Sequence, residues 1–351
     1  MTYVIPYKKQ GGALPRFKSV HVGTFSITTA GVNITLGSAI VKNNSFLIFD
    51  YEVEATDSQG QYNLVKGKIS NNTTLRFARD SSISGKDIHG RYWVYEFNSG
   101  MGSVQHFSHT QVTGSDAVAI TSISTANSFV IGSMTFDGTN TNGKCFATYN
   151  LTAGNNVQVQ VDDLGGVQEH EFQVITCSAW DVTKYTTSSS GTSYNQTLSP
   201  TVTVAETWIV GSARISYNIS GGDIPRQNLT SISNVNFQRR TTNGTWNHVF
   251  YAVETNGDCS VQHESGETIA SGASTGTTAI SAVTLANSSI YQNSAGVCMG
   301  TNNTSGGENG QDLFIKHGFN STIQTQQDRG GSPAQQTIFN FQVLDFSAGF
   351  V

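Results

Sequence analysis

The sequence predicts an all-β protein. It reads as tandem antiparallel β-sandwich modules, of jelly-roll or immunoglobulin-like type, behind an extended N-terminal arm. Three observations point there. First, a string returns: SVQHFSHTQVTGSDAVAITSISTANSFVI, from Ser103 to Ile131, comes back altered as SVQHESGETIASGASTGTTAISAVTLANSSIY, from Ser260 to Tyr291. Such an internal echo signals repeated structural units. Second, charged residues are only 12% of the 351, roughly half the usual share. The polar surface must then be Ser, Thr, Asn, Gln and Gly, short residues that suit strands and turns better than helices. Third, apolar and β-branched residues recur at period two, and no segment carries a capped helical period over three turns.

The stretch 1–16 stands apart. Pro6 and Pro15, with Gly11 and Gly12 between them, deny it a helix or a central strand. It is expected to be a docking arm, with Tyr3, Tyr7, Lys8 and Lys9 as its contact residues. The first sandwich is placed at 17–99. Val20, Val22, Phe25 and Ile27 alternate, then Ser45 to Phe49, an Asn-rich bend near Asn71, and Arg91 to Phe97. The second, 100–183, opens on the repeated string, passes Asp137 to Gly143 as a hairpin tip and closes on Glu171 to Thr176. The third, 184–257, lacks Ser-Val-Gln but carries Glu206 to Gly211 and closes on His248 to Glu254. The fourth, 258–351, has the longest tip, Thr301 to Gln311, and closes on Phe339 to Phe346. Each unit should hold about six to eight short strands. Separate cores and a shared core satisfy this periodicity equally.

A net charge of −5, with no long Lys/Arg cluster, excludes a dedicated nucleic-acid binder. No apolar run approaches the roughly 20 residues of a membrane span, and the N-terminus lacks the apolar core of a signal peptide. Cys145, Cys177, Cys259 and Cys298 fit no zinc spacing or compact disulfide framework, so free thiols are expected.

The first unit resembles a module common in structural proteins of tailed phages. The residues that carry the likeness are Lys18-Ser19-Val20 with Gly23, Ser45-Phe46-Leu47, Asn71-Asn72-Thr73 with Arg79, and Val94-Tyr95-Glu96-Phe97. His21 stands where the module usually has Gln, which returns at Gln105 and Gln262. The likeness covers the first two units well, the fourth loosely and the third poorly. It implies a β-sandwich virion component such as a head decoration or a tail appendage, and it transfers no functional residues.

Candidate sites are few. His106 and His109, three apart on a strand, point to opposite faces, which suits no single metal. Asp162-Asp163 reads as an acidic turn. The oxygen-rich run from Asp137 lacks the closing Glu of a calcium loop. No Gly-x-Ser-x-Gly elbow is present, and Glu52, Glu54, Asp162 and Asp163 cannot be paired into a glycosidase site from sequence. Trp93 and Trp208 read as core. Trp180, between units, and Trp246, before a strand, are the candidate exposed contacts, together with Asp137, Asn140 and Asn142. No catalytic residue, metal or cofactor is expected. The expected role is a non-enzymatic virion protein, made in the host cytoplasm, whose partners are other virion proteins and copies of itself. The alternative is a receptor-binding tail fibre or adhesin that takes host-surface glycan.

Overall fold

The computed structural model describes residues 15–54, 64–79, 87–112, 114–137, 146–162, 167–215, 225–239, 242, 244–292, 301–302, 314–330 and 336–350. Period-two patterning becomes strands throughout. Unit 1 holds β1 (Phe17–Ile27), β2 (Gly31–Thr35), β3 (Ser45–Val53), β4 (Lys66–Asn71), β5 (Thr74–Ala78) and β6 (Ile88–Phe97). Unit 2 holds β7 (Ser103–Gln111), β8 (Ser115–Ala119), β9 (Ser128–Asp137), β10 (Thr148–Ala153), β11 (Asn156–Gln160) and β12 (Val167–Thr176). Unit 3 holds β13 (Asp181–Ser189), β14 (Ser193–Thr197), β15 (Thr207–Ile215), β16 (Arg226–Ser231), β17 (Asn234–Gln238) and β18 (Trp246–Glu254). Unit 4 holds β19 (Ser260–Ile269), β20 (Thr275–Ala279), β21 (Ser288–Gln292), the short β22 (Thr301–Asn302), β23 (Lys316–Ser321), β24 (Gln324–Asp328) and β25 (Thr337–Asp345).

Every unit repeats one topology. Setting aside β22, an extra strand of unit 4 that pairs with β25, the first, last and third strands form one sheet, as in β1-β6-β3, and the second, fifth and fourth form the other, as in β2-β5-β4. Early strands alternate between sheets, which is a jelly-roll plan shortened to six strands, and not an immunoglobulin-like one. The registers are equivalent too: Val20, Val104, Val182 and Val261 sit opposite Tyr95, Ile175, Val253 and Leu344. This places the third unit's first strand at Asp181, ahead of the expected Lys184, because Asp-Val-Thr-Lys replaces Ser-Val-Gln-His there. The Asn-rich bend is a hairpin with a bulge in the same place in all four units: Ile69/Asn71, Leu151/Ala153, Leu229/Ser231 and Phe319/Ser321. Arg79 of the phage-like motif ties down the first turn of its unit by donating to the Thr29 carbonyl at 2.9 Å. Arg239 and Arg329 do the same with Gly191 and Ala273. Unit 2 has Val161 in that slot.

The units close a ring. The fourth strand of each lies on the first sheet of the next: β4 on β9 and β12, β10 on β15 and β18, β16 on β19 and β25, and β23 back on β3 and β6. One bond recurs at three of these seams. Ser133 Oγ, Ser212 Oγ and Asp50 Oδ2 accept from the backbone N–H of Gly67, Tyr149 and His317 at 3.1, 3.0 and 3.1 Å. At the remaining seam the Asn340 amide donates to the Gln227 carbonyl at 3.2 Å.

Third strands are sheet edges, and their free backbone groups are met from the neighbouring unit. The Gln173 amide takes both the N–H (2.7 Å) and the carbonyl (3.0 Å) of Leu47, and the Gln342 amide does the same for Ile209 at 2.8 and 2.8 Å. Both glutamines are buried. Next to them, His106 Nε2 meets the Lys42 carbonyl at 3.0 Å, and His263 Nε2 meets Val204 and Thr207 carbonyls at 3.2 and 3.1 Å. Ser-Val-Gln-His is therefore a packing device. Its Val enters the core, and its Gln clips the loop of its own unit, as Gln105 does with both backbone groups of Thr121. Its His locks onto the preceding unit.

The centre of the ring is aromatic. Phe17, Phe46, Tyr95 and Phe97 of unit 1 meet Phe129 of unit 2, Trp180 and Trp208 at unit 3, and Phe346 of unit 4. One hydrophobic cluster accordingly runs through all four units, and a smaller second one fills the interior of unit 3.

Two outcomes are expected. Gln342→Ala strands a buried N–H and a buried C=O on Ile209, at about 1–3 kcal/mol each, whereas Gln262→Ala frees a loop that water can reach. Urea unfolding should show a loss of about 2–6 kcal/mol for the first and under about 1 kcal/mol for the second; equal losses would refute the edge-capping role. Burial also lowers the pKa of His106 and His263 to about 4 and of His170 and His248 to about 3. In the unfolded chain these groups take protons near pH 6.5, so protons favour the unfolded state below that pH. Stability is full above about pH 6.5 and falls as pH drops toward about 4. Asp50 and Glu52, raised by burial, act in the opposite direction. The urea midpoint should therefore fall between pH 7.5 and 5, and the double variant His106→Asn, His263→Asn should flatten that slope.

Candidate functional site

The residues singled out from sequence are scattered by the fold. His106 and His109 diverge, His106 into the seam and His109 to Asp116 Oδ2 at 3.0 Å within its own unit. Asp162 forms an ion pair with Arg214 across the seam between units 2 and 3. Glu52 is bound by Lys316 across the ring-closing seam. Cys177 and Cys259 are free buried thiols, with burial raising the Cys177 pKa to about 11. Asp137 ends β9. Asp163, Asn140, Asn142, Cys145, Cys298 and the arm residues Tyr3, Tyr7, Lys8 and Lys9 lie outside the described residues.

Trp180 and Trp246 are not exposed contacts. They are 0% and 1% accessible. A link between modules lies on the surface of an extended array, but in a ring it passes the axis, and Trp180 stacks on Phe129 and Phe346 there. Its indole N–H donates to Asp258 Oδ2 at 2.8 Å, which also takes Arg16 at 2.8 Å. Trp246 packs on Phe146 of unit 2, so its strand position is a seam position.

Among the described residues, two charged clusters stand out as able to hold a ligand. Glu54, Asp87 and His89 bring one ligand atom each to within 4.8 Å of one another on the surface of unit 1. His89 Nε2 lies 3.0 Å from Glu54 Oε1 and its Nδ1 2.8 Å from Ser26 Oγ. The second is a cleft of about 330 Å³ between units 1 and 2, lined by Ala30, Lys66, Lys68, Arg76, Ala78, Arg79, Thr135, Val167, Glu169 and Glu171.

Strand alternation builds this cleft. On β4, Gly67 and Ile69 turn into the sandwich, so Lys66 and Lys68 turn out. On β12, His170 and Phe172 turn in, so Glu169 and Glu171 face unit 1. The two rows meet: Lys66 pairs with Glu169, and Lys68 reaches Glu171 Oε1 at 2.7 Å and Ser108 Oγ at 3.0 Å. Arg76 sits across the ladder from Lys68 and is exposed. The cleft is thus richer in cations than in carboxylates, on a chain whose net charge is −5. Sequence inspection missed it because the cations are spaced along two strands, and the carboxylates follow about a hundred residues later. The legible trace was only the matching alternation Lys66-x-Lys68 and Glu169-x-Glu171.

No family model matches the chain, and no curated protein matches it. Among solved structures, a chain of the Sulfolobus turreted icosahedral virus aligns over 72% of this chain and 89% of its own, at 10% identity and a TM-score of 0.18. A chain from a structure described as the triple jelly-roll fold and turret assembly in an archaeal virus gives the same coverage, identity and TM-score. The jelly-roll plan of the units therefore stands on their own strand order.

Proposed function

We propose that this chain is a non-enzymatic structural protein of a bacteriophage virion. It docks on the particle as a capsid decoration or tail appendage and presents its ring of sandwiches at the surface. The observation that supports this best is the closure of four equivalent units around one aromatic centre, with the same side-chain-to-backbone bond at three of the four seams. Such a body is a stiff platform. His106 and His263 are committed to it, buried in the seams where burial lowers their pKa to about 4. The phage-like residues of unit 1 serve the same platform: Ser19 and Lys18 both bind Glu96, at 2.9 and 2.8 Å, and Arg79 anchors a turn. Copies of the chain on one particle would add weak surface contacts into avidity.

A second reading is favoured by the charged cleft: an adhesin that takes a glycan on the host surface. Purified phage particles separate the two. The full chain should co-sediment with particles and leave host cells unbound, and deletion of 1–16 should abolish sedimentation. Binding to cells without particle binding would replace the first reading with the second. Full assembly of the truncated chain would refute the docking arm.

A further inference from the structure

We infer that the cleft between units 1 and 2 binds an acidic sugar, a hexuronate-type residue, with Arg76 holding the carboxylate. The inference deepens the glycan-binding reading and rests on it. Three observations carry it.

The first is the pseudosymmetry of the ring, which provides an internal comparison. Lys68 and Arg76 face each other across the β4–β5 ladder. The same pair of slots holds Asn150 and Gln158, Asn228 and Asn236, and Gly318 and Gln326 in the other units. None of these residues is charged; at two seams the neighbouring unit supplies the cation instead, Lys184 donating to Asn150 Oδ1 at 2.9 Å and Arg91 lying against Gly318. Like charges directly opposite on a sheet destabilise it, so the packing of the ring does not ask for a cation at 76.

The second is how the charges are already used. Glu169 and Glu171 are held by Lys66 and Lys68, and Glu171 also accepts from Ser108 Oγ at 2.7 Å. Arg76 makes no ion pair or hydrogen bond among the described residues, and it projects into the cleft from an exposed position. A guanidinium presents two parallel N–H donors that match a carboxylate.

The third is the mixed lining. A bare inorganic anion would meet Glu169 and Glu171 as like charges. A neutral sugar would leave Arg76 unused. A sugar acid satisfies both sides, since its hydroxyls donate to the two glutamates and accept from the lysines and Thr135, while its carboxylate takes Arg76. A volume of about 330 Å³ lies at the small end of ligand sites, roughly 300–1,000 Å³, which suits a terminal residue better than a long chain segment.

Isothermal titration of the full chain with D-glucuronate, D-glucose and inorganic phosphate tests this. Glucuronate should bind saturably and more tightly than either control. Arg76→Ala should weaken it by about tenfold or more, the share of a charge-assisted hydrogen-bond pair. Arg76→Lys should retain part of the affinity, and Gln158→Ala, the equivalent position of unit 2, should leave it unchanged. Three results would overturn the inference: no glucuronate binding, phosphate binding as tightly as glucuronate, or an Arg76→Ala variant that binds like the parent. Particle sedimentation is read separately, so a chain that docks on virions but ignores glucuronate sinks the sugar site alone.

Discussion

The contact on which the structure depends is the meeting of Phe17, Trp180, Trp208 and Phe346 on the axis of the ring. A six-stranded sandwich of about 80 residues encloses little core of its own, and small domains are marginal for that reason. By contributing their largest rings to one shared cluster, the four units bury aromatic surface that none could cover singly. Each such ring is worth several kcal/mol when removed from a core. The chain termini of the described region share this centre. Phe17 opens β1 there, and Phe350 packs against it at 5.6 Å between ring centroids.

Bringing sheets together this way raises a polar problem, because every third strand is an edge with free N–H and C=O groups that would be sealed from water. The seams answer it with side chains that imitate a strand. Gln173 and Gln342 each offer a donor and an acceptor to one residue of the edge, as a paired strand would. At the seam between units 2 and 3, a phenol in the slot of those glutamines meets backbone groups of the fourth strand, β10, instead. Tyr251 Oη accepts from Leu151 N at 2.9 Å and donates to the Tyr149 carbonyl at 3.0 Å. The alternation of Gln and aromatic residues in this slot, with Trp93 in unit 1, gives the ring the look of a duplicated pair, units 1 and 2 followed by 3 and 4.

The charges depart from this symmetry. At the ring-closing seam the serine of the recurring bond becomes Asp50, buried beside His317 with Nδ1 to Oδ2 at 3.3 Å, and Lys316 joins Glu52 there. At the first seam Lys66 and Lys68 face Glu169 and Glu171. Packing is thus common to all four junctions, while ion pairs vary: the two junctions that flank unit 1 carry several, and the junction of units 2 and 3 carries Asp162 with Arg214. Unit 1 is also the unit that carries most of the phage-like motif.

Local chemistry alone determined the class of the fold and the bends between strands, because period two, β-branched residues and turn clusters act over a few positions. It also set the glutamine of Ser-Val-Gln-His, whose partner is the next loop of the same unit. Tertiary structure decided what those letters meet at a distance. His106 reads only as a residue that suits no metal, since its partner is a carbonyl of the preceding unit, as is that of His263. Trp180 reads as an exposed link, since only closure of the ring puts it on the axis. The cleft was hidden for the same reason: Lys68 and Glu171 are 103 residues apart and meet only because one unit's edge lies on the next unit's sheet.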